Sequence, residues 1–388
     1  MRIRSFATVG GVAWLTIGVI GSSAHRSSGD DIFGSRQRSP SSLRASIIAT
    51  LGSADEMRDA YIFTDVRGLT TDSNGRILVA DYAANEVRVF NSTGAHVHTI
   101  GRLGAGPGDL SHPCCIAFAR DGNLWVREQG NRRYSVFALG DSSARFLRSV
   151  PQLVSNPAGA LDRVAWSNEG RLVDVGDLSG GAYQRALMGA DGSVQWDTIA
   201  PADPDSLSSK MIQRRLPDGS VGTSTYSQPF GPRALRAFGP SGEVAMAVSS
   251  RYAVTWKDLG GKTIALLRRN VVGPPLSDRE RTSAKRTLES IAQRNGMNVS
   301  SLPFDVPGRK PPLRAIGFDL NGRLWIERSV PDGQNREADV YDRQGRFVAI
   351  TSWPSHVRLD LWTVRDRGAI GIASDSLGTI SIVKMLFR

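Results

Sequence analysis

Six arginines stand at or near the start of short apolar runs: Arg67, Arg163, Arg233, Arg236, Arg314 and Arg358. A guanidinium is a planar fork of donors that keeps its charge, so a few of them converging would favour a carboxylate, sulfate or phosphate. The other reading pairs each with a neighbouring acid such as Asp65, Asp162 or Asp360. Two further carboxylates, Glu128 and Glu327, lie in the matching segments Trp125–Glu128 and Trp325–Arg328. There a charge near a strand end can reach the same surface while the tryptophan packs inward.

Cys114 and Cys115 are the only cysteines, and they are adjacent. In an oxidising compartment they could close a strained vicinal disulfide; two ordinary buried thiols are the alternative. Neither their number nor their spacing suits a metal site. Oxygen ligands for Ca²⁺ exist in Asp81, Glu128, Asp177 and Glu327, but spacing does not show that they converge, so no cofactor is identified. The chain has no Gly-x-Ser-x-Gly elbow, no His-Glu-x-x-His helix and no phosphate-cradling loop, and Gly104–Gly108 reads as a connector.

The elements that position these residues repeat along the chain. GLTTDSNGRILVADYAANEVRVFNSTGAHVHTIG from Gly68 is followed by CIAFARDGNLWVREQGNRRYSVFAL from Cys115. Four weaker copies start at Val164, Leu235, Ala315 and Leu361, with turn glycines at Gly75, Gly122, Gly170, Gly242, Gly322 and Gly368. Asn-Gly and Asp-Gly adopt positive φ at low cost, which predicts two-residue hairpins at these turns. Flanking residues such as Ile77, Val79, Leu124, Val126, Leu324 and Ile326 alternate at the period of a strand. A lone sheet of this kind cannot keep both faces dry, whereas sheets packed radially can.

At GLTTDSNGRILVADYAANEVRVF and IGRLGAGPGDLSHPCCIAFARDGNLWV, including the Gly106–Gly108 connector, the chain resembles two consecutive NHL repeats, over about residues 66–137. The resemblance implies an all-β, six-bladed propeller, and it implies that Asp81 fastens loops. The propeller is expected over 45–388, with Ala45–Gly52 supplying the missing outer strand of the last blade. In a blade, the second-to-third strand loop and the connection to the next blade share one face, the top. Two long insertions fall there. One spans Ile212–Thr223 with a turn at Asp218-Gly219, read as an extra hairpin. The other, about 273–312, contains a helix with a capping box at Ser277 and Glu280 and a stop at Asn295-Gly296. Ala284, Leu288, Ile291 and Ala292 form its apolar stripe. That helix reads as a lid over a central depression or as a plug packed on it.

Composition bounds the rest. Only six of the 48 basic residues are lysine, leaving 42 arginines, and the formal charge is +11. The charges are scattered without a run of five, which disfavours nucleic acid as a partner. Residues 1–24, with Arg2 and Arg4 before an apolar stretch from Phe6 to Ile20 and small residues after it, read as a signal peptide; an uncleaved anchor is the alternative. Residues 25–44 read as a flexible spacer, and no later segment is apolar enough to cross a bilayer. These features predict an exported module, periplasmic or extracellular, that binds a small anionic ligand or a protein. The runner-up, a metal-dependent hydrolase or lyase, rests on the resemblance, since related six-bladed propellers include lactonases and amidating lyases with a metal on the axis. The lyase arrangement draws histidines from several blades. Here His96 and His98 fall on an expected outer strand, leaving His112 and His356.

Overall fold

Apolar alternation between tight turns folds the repeats as antiparallel meanders. A computed structural model of the chain describes residues 40–52, 58–154, 164–167, 169–177, 182–199, 209–215 and 218–388, all within one unit, Asp31–Arg388. Strand β1 (Ser41–Leu51) precedes four separate four-stranded sheets. The first holds β2 (Val66–Thr71), β3 (Ile77–Asp81), β4 (Glu86–Phe90) and β5 (His96–Ile100). The second holds β6 (Pro113–Phe118), β7 (Leu124–Glu128), β8 (Arg133–Leu139) and β9 (Ala144–Pro151). The third holds β10 (Val164–Trp166), β11 (Leu172–Asp177), β12 (Tyr183–Met188) and β13 (Val194–Ile199). After a ribbon of β14 (Ser209–Arg215) and β15 (Val221–Ser227), the fourth holds β16 (Ala234–Phe238), β17 (Val244–Val248), β18 (Ala253–Lys257) and β19 (Thr263–Arg268).

Helix α1 (Asp278–Asn295) leads into an eight-stranded sheet. Its strands are β20 (Leu313–Phe318), β21 (Leu324–Arg328), β22 (Arg336–Tyr341), β23 (Phe347–Trp353), β24 (Val357–Arg365), β25 (Gly368–Ser374) and β26 (Ile380–Phe387), joined by β1. Strand β1 lies between β23 and β26, parallel to β23 through Ser41–Arg44 and antiparallel to β26 from Ala45↔Phe387 to Leu51↔Ile382. The strand therefore begins inside the expected spacer, because Ser41–Arg44 find a free edge on β23. Residues 1–39, which hold the expected signal peptide and most of the expected spacer, lie outside the described residues.

The arrangement is that of a propeller. First strands pack side by side, β2 on β6, β6 on β10, β16 on β20, β20 on β24, and β24 back on β2. Between the third and fourth sheets, Tyr183 meets Phe238 and the Arg185 guanidinium donates to the carbonyls of Gly242 and Leu259. Both faces of a middle strand such as β3 are consequently dry. In β3 (ILVAD) every residue is buried: Ile77 and Val79 pack with Ile370 and Ile382, whereas Leu78 and Ala80 pack with Ile116, Leu124 and Val126. Each large apolar side chain so enclosed contributes about 1.5–3 kcal/mol.

The turns differ from the two-residue hairpins expected. Asp72 N donates to Arg76 O and Gly75 N to Asp72 O, with Gly75 at φ 76°, which is a three-residue loop with a left-handed glycine at its end. Gly122, Gly170, Gly242 and Gly322 repeat this geometry. At the last turn Gly368 opens β25 and the positive φ, 47°, belongs to Asp366.

The two insertions meet each other. Ile212 of β14 packs with Leu288, Ile291 and Ala292 of α1 and with Leu302 and Phe304. Asn295 donates to the Tyr226 hydroxyl, and Arg214 to the Arg294 carbonyl. The capping box forms at Ser277, and Gly296 ends the helix at φ 64°. Asp332, in the β21–β22 loop, accepts from Ser277 and Arg279 and ties α1 to the top face. Among the described residues no helix is long and apolar enough to cross a membrane.

Candidate functional site

The first strands enter from the top face, so residues at their starts gather there and residues at their ends lie deeper. A cavity of about 660 Å³ follows this direction between β16, β20 and β24. Arg233 just precedes β16, Arg314 and Arg358 are second in β20 and β24, Arg336 opens β22, and Glu327 is next to last in β21; all five line the cavity. Farther along the same strands it is lined by Ile316, Phe238, Leu361 and Trp362. Trp362, one of the lining residues, packs with Ala165, Val173 and Leu187 of the third sheet.

Two devices aim these side chains. The β20–β21 register shifts between Leu313 and Ala315, leaving Arg314 on a bulge that turns it to the mouth. The same shift occurs at Arg67 in β2 and at Cys114 in β6, so these three occupy one structural position in different sheets. Glycine supplies the second device: a Cβ at Gly317 would stand 2.5 Å from Leu361 Cδ1, so the bare backbone there leaves room for the tip of that side chain.

Positive charge is only partly compensated in the cavity. Arg314 Nε lies 2.9 Å and Arg336 Nε 3.7 Å from the Glu327 carboxylate. Arg233 Nη2 donates to the Arg314 carbonyl at 2.7 Å, and Arg358 Nη2 to the Val66 carbonyl at 3.3 Å. Burial lowers the pKa of Arg233, and Arg314 beside it lowers it further. Burial likewise lowers that of Arg336, against Glu327 and with Arg314 and Arg358. Burial raises the pKa of Glu327 despite Arg336, Arg314 and Arg233 around it. Arg236, deeper in the wall, stacks over the Tyr183 ring with its guanidinium carbon 4.4 Å from the centroid.

Of the residues singled out in the sequence, Arg233, Arg236, Arg314, Arg358 and Glu327 thus come together. Arg67 does not: it pairs with Asp65 at 2.8 Å and covers the Tyr82 ring at 3.5 Å. Its bulge faces an aromatic surface and an adjacent acid, which hold it locally. Glu128 is buried in a separate knot, accepting from Ser111 N, Asn131, Arg133 and Ser135, and thereby fastens the connector before β6. Asp81 does similar work beneath Thr64, Asp65 and Ala84; burial would raise its pKa, but hydrogen bonds from these residues outweigh it and hold the carboxyl low. Arg163 and Asp162 lie outside the described residues. Arg336 escaped the sequence reading because it begins a third strand rather than an inner one.

Cys114 and Cys115 are buried with their sulfur atoms 2.6 Å apart, beside Arg127, whose charge is paired with Asp174 at 3.3 Å. His96 lies on outermost β5, and His112, at φ 55°, packs on Tyr82. Helix α1 contributes no residue to the cavity lining, so it neither plugs nor covers it by direct contact. Among the described residues no three His, Cys, Asp or Glu side chains stand close enough to share a metal ion.

No protein-family model and no curated protein matches the chain. Among solved structures it is similar to a virginiamycin B lyase from Staphylococcus aureus, at 11% identity and a TM-score of 0.42, covering 89% of this chain and 99% of that one. It is similar to the PQQ-bound aldose sugar dehydrogenase of Streptomyces coelicolor at 12% identity and a TM-score of 0.47, covering 90% and 100%. It is also similar to the WD40 repeats of RRP9 at 11% identity and a TM-score of 0.44, covering 90% and 99%. The propeller arrangement of this chain stands on its own sheet order and first-strand contacts.

Proposed function

We propose that the chain is an exported, six-bladed β-propeller that acts as a binding module, with the axial cavity as a site for an anionic ligand. Six sequence repeats, and the division of the eight-stranded sheet at β1 into β20–β23 and β24–β26, support the count of six. The basic, Arg-rich composition and the leader-like first 24 residues support export and anion capture.

The observation that carries the anion reading is that Arg233, Arg314, Arg336 and Arg358 line one cavity whose lining holds a single carboxylate, Glu327. Like charges crowd one another where water is partly excluded, and an incoming carboxylate, sulfate or phosphate would relieve that repulsion while accepting forked hydrogen bonds. Isothermal titration with sulfate and inorganic phosphate tests it. Saturable binding that weakens with added salt, and that falls at least tenfold in Arg314→Gln and Arg358→Gln, is the expected result. Heat of dilution alone, or binding indifferent to both substitutions, would remove the reading. The hydrolase or lyase alternative has no cluster of ligating side chains among the described residues to favour it.

A further inference from the structure

The cavity has a direction as well as a charge. Four of its five guanidinium groups lie at the starts of β16, β20, β22 and β24, the fifth, Arg236, standing deeper against Tyr183, whereas Ile316, Leu361, Trp362 and Phe238 supply apolar lining deeper along the same sheets. Leu361 and Phe238 are only half buried, so they present apolar surface to the space rather than disappearing into the core. A volume of about 660 Å³ is far more than a sulfate or phosphate fills; at ~30 Å³ per water it corresponds to roughly twenty water molecules. An inorganic ion held at the mouth would leave the deeper half holding water against hydrocarbon, which is unfavourable.

We infer that the ligand is an amphipathic anion, with one acidic head group held by Arg233, Arg314 and Arg358 and an unbranched or aromatic apolar body reaching down to Leu361 and Trp362. This inference rests on the anion reading and adds to it the class of molecule and its orientation. Trp362 limits how far the body reaches, since its packing with Ala165, Val173 and Leu187 holds that large ring in place along the lining. Gly317 sets the shape of the wall, because any side chain there would displace Leu361. Arg236 stays to one side on Tyr183, where its guanidinium face extends the aromatic surface available to a flat body.

The test is titration calorimetry of the full chain with straight-chain carboxylates from acetate to decanoate, each below its micelle concentration, with inorganic phosphate in parallel. Affinity should rise about three- to fourfold per methylene and then level off once the chain meets Trp362. Leu361→Asn should flatten that slope, and Ile316→Asn serves if the first variant does not fold. Arg314→Gln should weaken every member together. Equal affinity across the series, with the Arg314→Gln effect intact, would overturn the amphipathic ligand and leave the anion site standing. Failure of every carboxylate and of phosphate to bind would overturn both.

Discussion

Glu327 is the residue on which the electrostatics of the cavity turn. Burial raises its pKa, and the arginines Arg336, Arg314 and Arg233 only partly oppose that rise. For an acid whose folded pKa lies above its unfolded value, the favourable contribution to folding is complete below the unfolded value and is lost as pH rises through the folded one. The ionised carboxylate also competes with any incoming anion for the same guanidinium groups. Sulfate binding should therefore tighten in the native chain as pH is lowered toward the raised pKa of Glu327. Glu327→Gln should bind roughly five- to tenfold more tightly at pH 7, on the scale of one unit charge at contact distance, and lose the pH dependence. Calorimetric titrations at several pH values would show both effects, and an unchanged pH profile in the variant would place the titrating group elsewhere. Asp81 and Glu128 show how context divides similar carboxylates: both are fully buried, but backbone and side-chain donors satisfy them as loop fasteners.

At the scale of elements, the two insertions behave as one unit. The Ser277 capping box, the Ala284 to Ala292 stripe and the Gly296 stop were all legible, because capping and periodicity are local. That Ile212 of β14 would lie against Leu288 and Ile291 was not, since nothing within either segment encodes its distance from the other. Leu288→Ala should cost about 2–5 kcal/mol within this small apolar cluster. Because the cluster stands apart from the sheet interfaces, hydrogen exchange should accelerate in α1, β14 and β15 while β3 and β7 stay protected. Acceleration spread evenly over all sheets would contradict that separation. The bulges carry a comparable lesson: Arg67, Cys114 and Arg314 share a position that strand alternation alone cannot reveal, because a bulge breaks the alternation used to read it.

For the whole molecule, β1 is the decisive strand, since it satisfies the edges of both β23 and β26. A variant beginning at residue 53 would leave those two edges unpaired and remove the buried Ala45 and Leu51 side chains. Such a chain should unfold at lower urea concentration and form larger species in size-exclusion chromatography. A monodisperse variant of native stability would show that β1 is dispensable.

The amino-acid sequence by itself determined the repeat, the turns that need positive φ, the capped helix and the strand-forming character of Ala45–Leu51. Each of these depends on residues close together in the chain. Only the tertiary structure decided that Arg233, Arg314, Arg336 and Arg358 line one cavity with Glu327 while Arg67 turns to Asp65 and Tyr82. Arg314, Glu327 and Arg336 come from successive strands of one sheet, but Arg233 arrives from beside β16 and Arg358 from β24, so the full gathering follows from how these elements pack about a common axis, a long-range condition that no local spacing records.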